Sequence, residues 1–202
     1  MKSYDAVATI VFYNNSAEQV VSVVKSCLHL NDAFVLIVDN SPVDTIREVV
    51  NSLCMCDSFD RIKYIHTPEN PGFGASHNLA LQHFPDAEFY YVVNPDVTFE
   101  SKINQMVDFM RENPSIGCLV PKVIYPDGRL QRLCKLLPSP LDLFLRRFSP
   151  AMASITDKRF MLAGFDYSIL LDIPYVSGCF MLTESMSAPR LPSCATSRVE
   201  LL

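Results

Sequence analysis

Phe89-Tyr90-Tyr91-Val92-Val93-Asn94-Pro95-Asp96 is an apolar run that stops abruptly in a polar turn. The run reads as a buried strand, and the turn sets a carboxylate at the mouth of a sheet. In open α/β proteins that rim is where ligands bind. A hard carboxylate there can hold Mg²⁺ or Mn²⁺, and such an ion can bridge the phosphates of a nucleotide. Taken alone, Asn-Pro-Asp is equally ordinary turn chemistry. What precedes it decides its weight.

Upstream, Val7 to Phe12 reads as a first strand that ends in Tyr13-Asn14-Asn15. Ser16 then caps a helix, with Gln19 completing a capping box and Val20, Val23, Val24, Cys27 and Leu28 forming one apolar stripe. Phe34 to Val38 is an unbroken apolar run, as in a strand buried on both faces, and it ends in Asp39-Asn40-Ser41. Pro42 suits the first turn of another helix. Arg61 to His66 makes a third strand, followed by Asn70-Pro71-Gly72-Phe73-Gly74 and a helix through about His83. Glu88 to Val93 is the fourth strand, and Glu100 to Glu112 a helix stopped by Pro114. Strand alternating with helix is the pattern of an α/β, three-layer fold with a mostly parallel sheet. Each polar turn falls at a strand's C-terminal end, so Asn14, Asp39, Asn70 and Asp96 are expected on one rim.

Beyond residue 115 the style changes. Ile116 to Tyr125 is extended, and Pro126-Asp127-Gly128 signals a hairpin, which makes this part antiparallel. Residues 130–160 read as irregular, Tyr175 to Leu182 as a final strand, and 183–202 as an irregular tail. The domain is accordingly drawn at 1–182.

Composition narrows the function classes. The 202 residues suit one domain, and 49% hydrophobic with 19% charged residues marks a globular chain. A net charge of −5 argues against a nucleic-acid binder. No signal peptide or membrane-length apolar run is visible, so an intracellular protein is expected. Seven cysteines form no metal-binding spacing and read as reduced thiols. Leu141 to Arg147 reads either as a plain amphipathic segment or as a basic, apolar surface leaning on anionic lipid.

Gly72-Phe73-Gly74 is not a dinucleotide fingerprint, because it follows the third strand and His77 stands where a third glycine belongs. It is either a tight turn or a place where backbone approaches a ligand closely. Asp39 either caps the next helix or accepts hydrogen bonds from a base or ribose. His77 reads as an ordinary half-buried histidine or a site group.

In order along the chain, Val7 to Asn14, Ile37 to Ser41, Asn70 to Asn78 and Val93 to Val97 resemble the family 2 glycosyltransferases. The nearest branch is the rhamnosyltransferase-like enzymes of bacterial polysaccharide assembly, which Leu119 to Gln131 and Val176 to Leu182 also resemble. The resemblance runs from residue 5 to 182. It implies the GT-A fold, a Rossmann-like sheet binding a nucleotide-diphosphate sugar. Tyr13 and Asn14 would line the nucleotide pocket, and Asp39 would meet the base or ribose. Asn70, Gly72, Gly74 and Asn78 would pack beside the nucleotide and diphosphate. Asp96 matches the last Asp of the family's Asp-x-Asp motif and would ligate Mg²⁺ or Mn²⁺; Asn94 replaces the first. Ser177 and Gly178 would belong to the acceptor side.

The resemblance also implies inverting transfer of a sugar, rhamnose by branch, to a saccharide or lipid-linked acceptor. The expected setting is the cytoplasm, at the inner face of the membrane. The family's general base is an Asp in an acidic motif after the Ser177 to Phe180 segment. Here the pattern is lost after Leu182, where Glu184 and Glu200 are the only acids. A C-terminally truncated enzyme that keeps the donor half and lacks the catalytic base is expected, with apolar surface that favours self-association. Two other classes stay in view. One is a non-catalytic nucleotide-sugar binding module. The other is a sugar-phosphate nucleotidyltransferase, which would need a glycine-rich loop with Arg after the first strand, where Tyr13-Asn14-Asn15-Ser16 stands.

Overall fold

The computed structural model describes residues 4–57, 59–135, 173–185 and 193–201. Its first half alternates strand and helix: β1 (Ala6–Phe12), α1 (Ala17–Leu28), β2 (Ala33–Asp39), α2 (Arg47–Asp57), β3 (Ile62–His66), α3 (Phe73–His77), α4 (Leu79–His83), β4 (Phe89–Val93) and α5 (Gln105–Glu112). There follow β5 (Ile116–Ile124), β6 (Leu130–Gln131), β7 (Cys134–Lys135), β8 (Tyr175–Val176), β9 (Phe180–Glu184) and β10 (Ser193–Leu201).

The main sheet runs β10-β5-β9-β4-β1-β2-β3, with β6 hairpinned onto β5, and β7 pairs with β8 separately. β4, β1, β2 and β3 are mutually parallel, whereas β9 runs antiparallel between β4 and β5. The expected mostly parallel α/β sheet with an antiparallel C-terminal part is therefore what forms. Its central parallel strands β1, β2 and β4 are almost wholly apolar because both faces are covered, whereas the outer β3 is only part-buried. Ala8, Ile10, Val35 and Ile37 pack on one side with Val20, Val24 and Met106 from α1 and α5. Val7, Leu36 and Val38 pack on the other with Ala80 of α4. Each fully buried aliphatic side chain contributes about 1.5–3 kcal/mol, so alternating strand positions lock the register from both sides.

Local boundaries differ from the expected ones in four places. The helix expected from Pro42 starts at Arg47, because Ser41 and Asp44 are drawn into hydrogen bonds with Asp39 and Tyr64. The helix expected through His83 breaks at Asn78, whose N–H reaches back to Gly74 and Ser76. The helix expected at Glu100 opens with a 3-10 turn, Ser101–Asn104. The single strand expected over 175–182 is two strands, interrupted where the Cys179 carbonyl accepts from the Asn94 N–H at 2.9 Å.

The irregular tail expected over 183–202 is corrected too. Glu184 closes β9, and Ser193–Leu201 adds β10 in parallel to β5, with register shifts along the way. Its sequence lacks alternation; the exposed edge of β5 supplies the pairing instead. The hairpin at Pro126-Asp127-Gly128 forms as expected, with Gly128 at φ +82° and its N–H bonded to the Tyr125 carbonyl. Leu141 to Arg147 falls outside the described residues. Among the described residues no helix is long and apolar enough to cross a membrane, and the four cysteines whose side chains are described are not in disulfides.

Candidate functional site

Register brings the polar turns together. Phe12 is level with Asp39, Asp39 with His66, and Ile10 with Val93, so the ends of β1, β2, β3 and β4 form one edge. Asn14, Asp39, Asn70 and Asp96 leave that edge side by side, as expected. The loops there hold unusual backbone: Asn14 at φ +54° and Asn70 at φ +45° are left-handed. Gly72, at φ +93° and ψ 167°, occupies a region essentially restricted to glycine. Non-glycine residues in such conformations concentrate at functional sites.

Asp39 is the hub of this edge. It is fully buried, and Ser41 donates to Oδ1 from both its backbone N–H (2.9 Å) and its hydroxyl. The Tyr64 hydroxyl lies 2.9 Å from Asp39 Oδ2 and 2.6 Å from Asp44 Oδ1, so one phenolic proton serves two carboxylates. Burial, then those two hydrogen bonds, raise the Tyr64 pKa, which keeps the proton on the phenol. Burial raises Asp44 as well, but hydrogen bonds from Tyr64 and Arg47 outweigh it and hold that carboxyl below its ordinary range. Arg47 pairs with Asp44 while its guanidinium lies 4.9 Å over the Tyr64 ring. His66 Nε2 sits 2.8 Å from the Ser41 carbonyl and so carries the ring proton toward it. The Asn14 N–H donates to the Ser41 hydroxyl at 2.9 Å, which ties the β1 loop to the β2 loop. Asp39 thus stands where expected, with both carboxylate oxygens already engaged.

Asn94 and Asp96 follow β4. Asn94 is half-buried and Asp96 exposed, and no described residue donates a hydrogen bond to the Asp96 carboxylate. Beside it the Cys179 thiol is pushed up to about 11, first by burial and then by the Asp96 charge. Among the described residues no group of three or more His, Cys, Asp or Glu side chains gathers into a cage. One open, hard carboxylate nevertheless suits an ion such as Mg²⁺, which keeps several waters and shares its shell with substrate phosphates. Ser177 and Gly178 are half-buried just before β9, next to Cys179, whose carbonyl accepts from the Asn94 N–H.

α3 lies across this edge. At one end Phe73 reaches Gly178: a Cβ on that glycine would meet the phenyl ring at 3.3 Å. Toward the other end, the Ser76 hydroxyl and the Asn40 amide hydrogen-bond at 2.8 Å. His77, the last residue of α3, is 8% exposed, edge-on to Phe73 at 4.4 Å, and has no partner for either ring nitrogen. Burial lowers its pKa to about 4. Gly74 and Asn78 are exposed on the same short segment, and Tyr13 is 53% exposed beside Asn14.

The sequence alone did not single out Tyr64, Asp44, Arg47, His66 or Ser76. A signal existed for two of them: Tyr64 and His66, two residues apart on β3, share one face of the strand and bring polar groups to its rim end. Nothing in the sequence connects Asp44 with Tyr64, which is twenty residues away.

A family model described as Glycosyl transferase family 2 matches residues 8–174. A comparison with curated proteins finds no match. Among solved structures, GalNAc-T7 with UDP, GalNAc and Mn²⁺ aligns at a TM-score of 0.60 and 14% identity, over 91% of this chain and 36% of that one. The mannosyltransferase PcManGT from Pyrobaculum calidifontis, in complex with GDP-Man and Mn²⁺, aligns at 0.51 and 15%, over 72% and 39%. S. aureus TarS 1-349 aligns at 0.50 and 19%, over 68% and 44%. The chain thus spans less than half the length of each of these proteins, and the likeness is one of fold.

Proposed function

Since this chain belongs to glycosyl transferase family 2, we propose that its rim binds a nucleotide-diphosphate sugar and passes the sugar, with inversion, to a saccharide or lipid-linked acceptor. The observation that carries this reading is the shared level of Phe12, Asp39 and His66 with an exposed Asp96 one strand away. Tyr13 and Asn14 line the nucleotide side. The bent backbone of Asn70 and Gly72, with Gly74 and Asn78, lets the chain approach the diphosphate. Asp96, helped by Asn94, would hold Mg²⁺ or Mn²⁺. When bound, the ion offsets the charge that gathers on the leaving diphosphate.

Asp39 orients the loops through Ser41 and Tyr64. A base or ribose donor reaches Oδ2 by taking the place of the Tyr64 hydroxyl, whose proton then serves Asp44 alone. Ser177 and Gly178 face the acceptor. Rhamnose as the sugar, bacterial surface polysaccharide as the pathway, and contact with the inner face of a membrane follow from the branch resemblance. GDP-Man with Mn²⁺ in one structural neighbour, and UDP, GalNAc and Mn²⁺ in another, are in keeping with this donor chemistry.

A second reading, nucleotide-sugar binding without transfer, is favoured by the placement of the two late acids. Glu184 is level with Phe89, at the sheet edge opposite Asp96, and Glu200 lies on β10, three strands from β4. A thermal-shift panel of UDP-, GDP- and thymidine-diphosphate sugars, with and without Mn²⁺, tests the donor site. A ligand at a hundred times its Kd adds about 2.7 kcal/mol of stability. Asp96→Asn is expected to remove the Mn²⁺-dependent part of the shift. No shift with any nucleotide sinks the proposal, while binding without sugar transfer selects the second reading.

A further inference from the structure

Resting on that donor-site reading, we infer that α3 carries a saccharide-recognition pair, in which the His77 imidazole hydrogen-bonds a hydroxyl of the transferred sugar and Phe73 offers its apolar face. Three independent observations support it. First, Ser76 is bonded to Asn40, directly after Asp39, and Phe73 touches Gly178, next to the Cys179 carbonyl that binds the Asn94 N–H. His77, next to Ser76 and packed on Phe73, therefore sits at rim level. Second, His77 is buried with neither ring nitrogen partnered, although buried polar groups are nearly always satisfied. Third, Phe73 is 46% exposed while packed edge-on to that imidazole. Its exposed ring surface is available to the apolar face of a pyranose.

The chemistry selects the ligand. A buried imidazole that stays neutral offers one N–H and one lone pair. A hydroxyl matches both, because it accepts and donates in turn. A diphosphate only accepts and would leave the lone pair facing negative charge. Asp96 lies on the diphosphate side in any case. α3 is bounded by Gly72, with its glycine-only backbone, and by the break at Asn78. On this proposal, entry of the sugar displaces Phe73 from Gly178 and gives access to the imidazole.

The test uses the full chain, ¹⁵N-labelled, with Mg²⁺. Imidazole resonances of His77 are followed by NMR during titration with UDP-, GDP- and thymidine-diphosphate sugars and with the matching bare diphosphates. Calorimetry compares wild type with His77→Phe and His77→Gln. The expected result is a ring shift with the sugar-bearing ligand that its bare diphosphate does not produce. His77→Phe should cut the affinity advantage of sugar-bearing over bare ligand about ten-fold, and His77→Gln, which keeps a donor and an acceptor, should recover most of it. Identical ring signals with bound sugar nucleotide and bound diphosphate overturn the inference, as does an equal loss of both affinities in His77→Phe. If that variant does not fold, the wild-type resonances still decide. Failure of wild type to bind any nucleotide overturns the donor-site reading and this inference together, so the two failures are told apart.

Discussion

At His77 the cost of burying an imidazole without a partner becomes a pH dependence. Its folded pKa of about 4 lies below the unfolded value near 6.5. Between these values the unfolded chain binds a proton that the folded one does not, so stability is full above pH 6.5 and falls as pH drops toward 4. The loss amounts to about 3 kcal/mol across that window. Urea midpoints at pH 7.5 and 4.5 should differ accordingly, and His77→Phe should remove that part of the difference; an unchanged difference assigns it to other groups. Asp39 presents the opposite case, a buried group with every oxygen answered. Asp39→Asn puts an amide N–H₂ against hydroxyl donors and is expected to cost about 2–3 kcal/mol in chemical denaturation, with Asn14 loosened through Ser41. A cost near zero would mean that the Ser41 and Tyr64 bonds contribute little.

Among the elements, α1 was fully readable and α3 was not, for a physical reason. The Ser16 hydroxyl accepts from the Gln19 N–H while the Gln19 side chain accepts from the Ser16 N–H. These are local bonds between residues three apart, so spacing alone announces them. Ser16→Ala should cost about 1 kcal/mol in a urea melt, and no loss would mean that packing of the Val20, Val23 and Val24 face alone holds the helix. In α3 the deciding contacts are with Asn40 and Gly178, one far behind and one far ahead in sequence. The helix itself stops at Asn78, whose N–H turns back to Gly74 and Ser76, a boundary that periodicity does not mark. The late start of α2 likewise depends on a distant contact, since Asp44 is held by Tyr64 from another strand.

On the scale of the molecule, one aromatic cluster joins the parallel half to the antiparallel half. Phe180 on β9 is fully buried, 5.7 Å from Tyr91 on β4 and 5.1 Å from Phe99. Phe180→Ala should cost about 3–5 kcal/mol, and, because the cluster spans both halves, a single unfolding transition should persist at lower denaturant. Two separated transitions would show halves that fold independently. The alternation of unbroken apolar runs with amphipathic helices was enough by itself to determine the parallel sheet. Strands buried on both faces admit few other arrangements, and polar turns at their ends must then share a rim. Only the tertiary structure decided that Asp39 is enclosed by Ser41 and Tyr64, that the His77 ring nitrogens are left unpartnered, and that the segment after Leu182 supplies β10. Each depends on groups brought together from distant parts of the chain, and no local pattern records which distant donor, ring or strand edge will arrive.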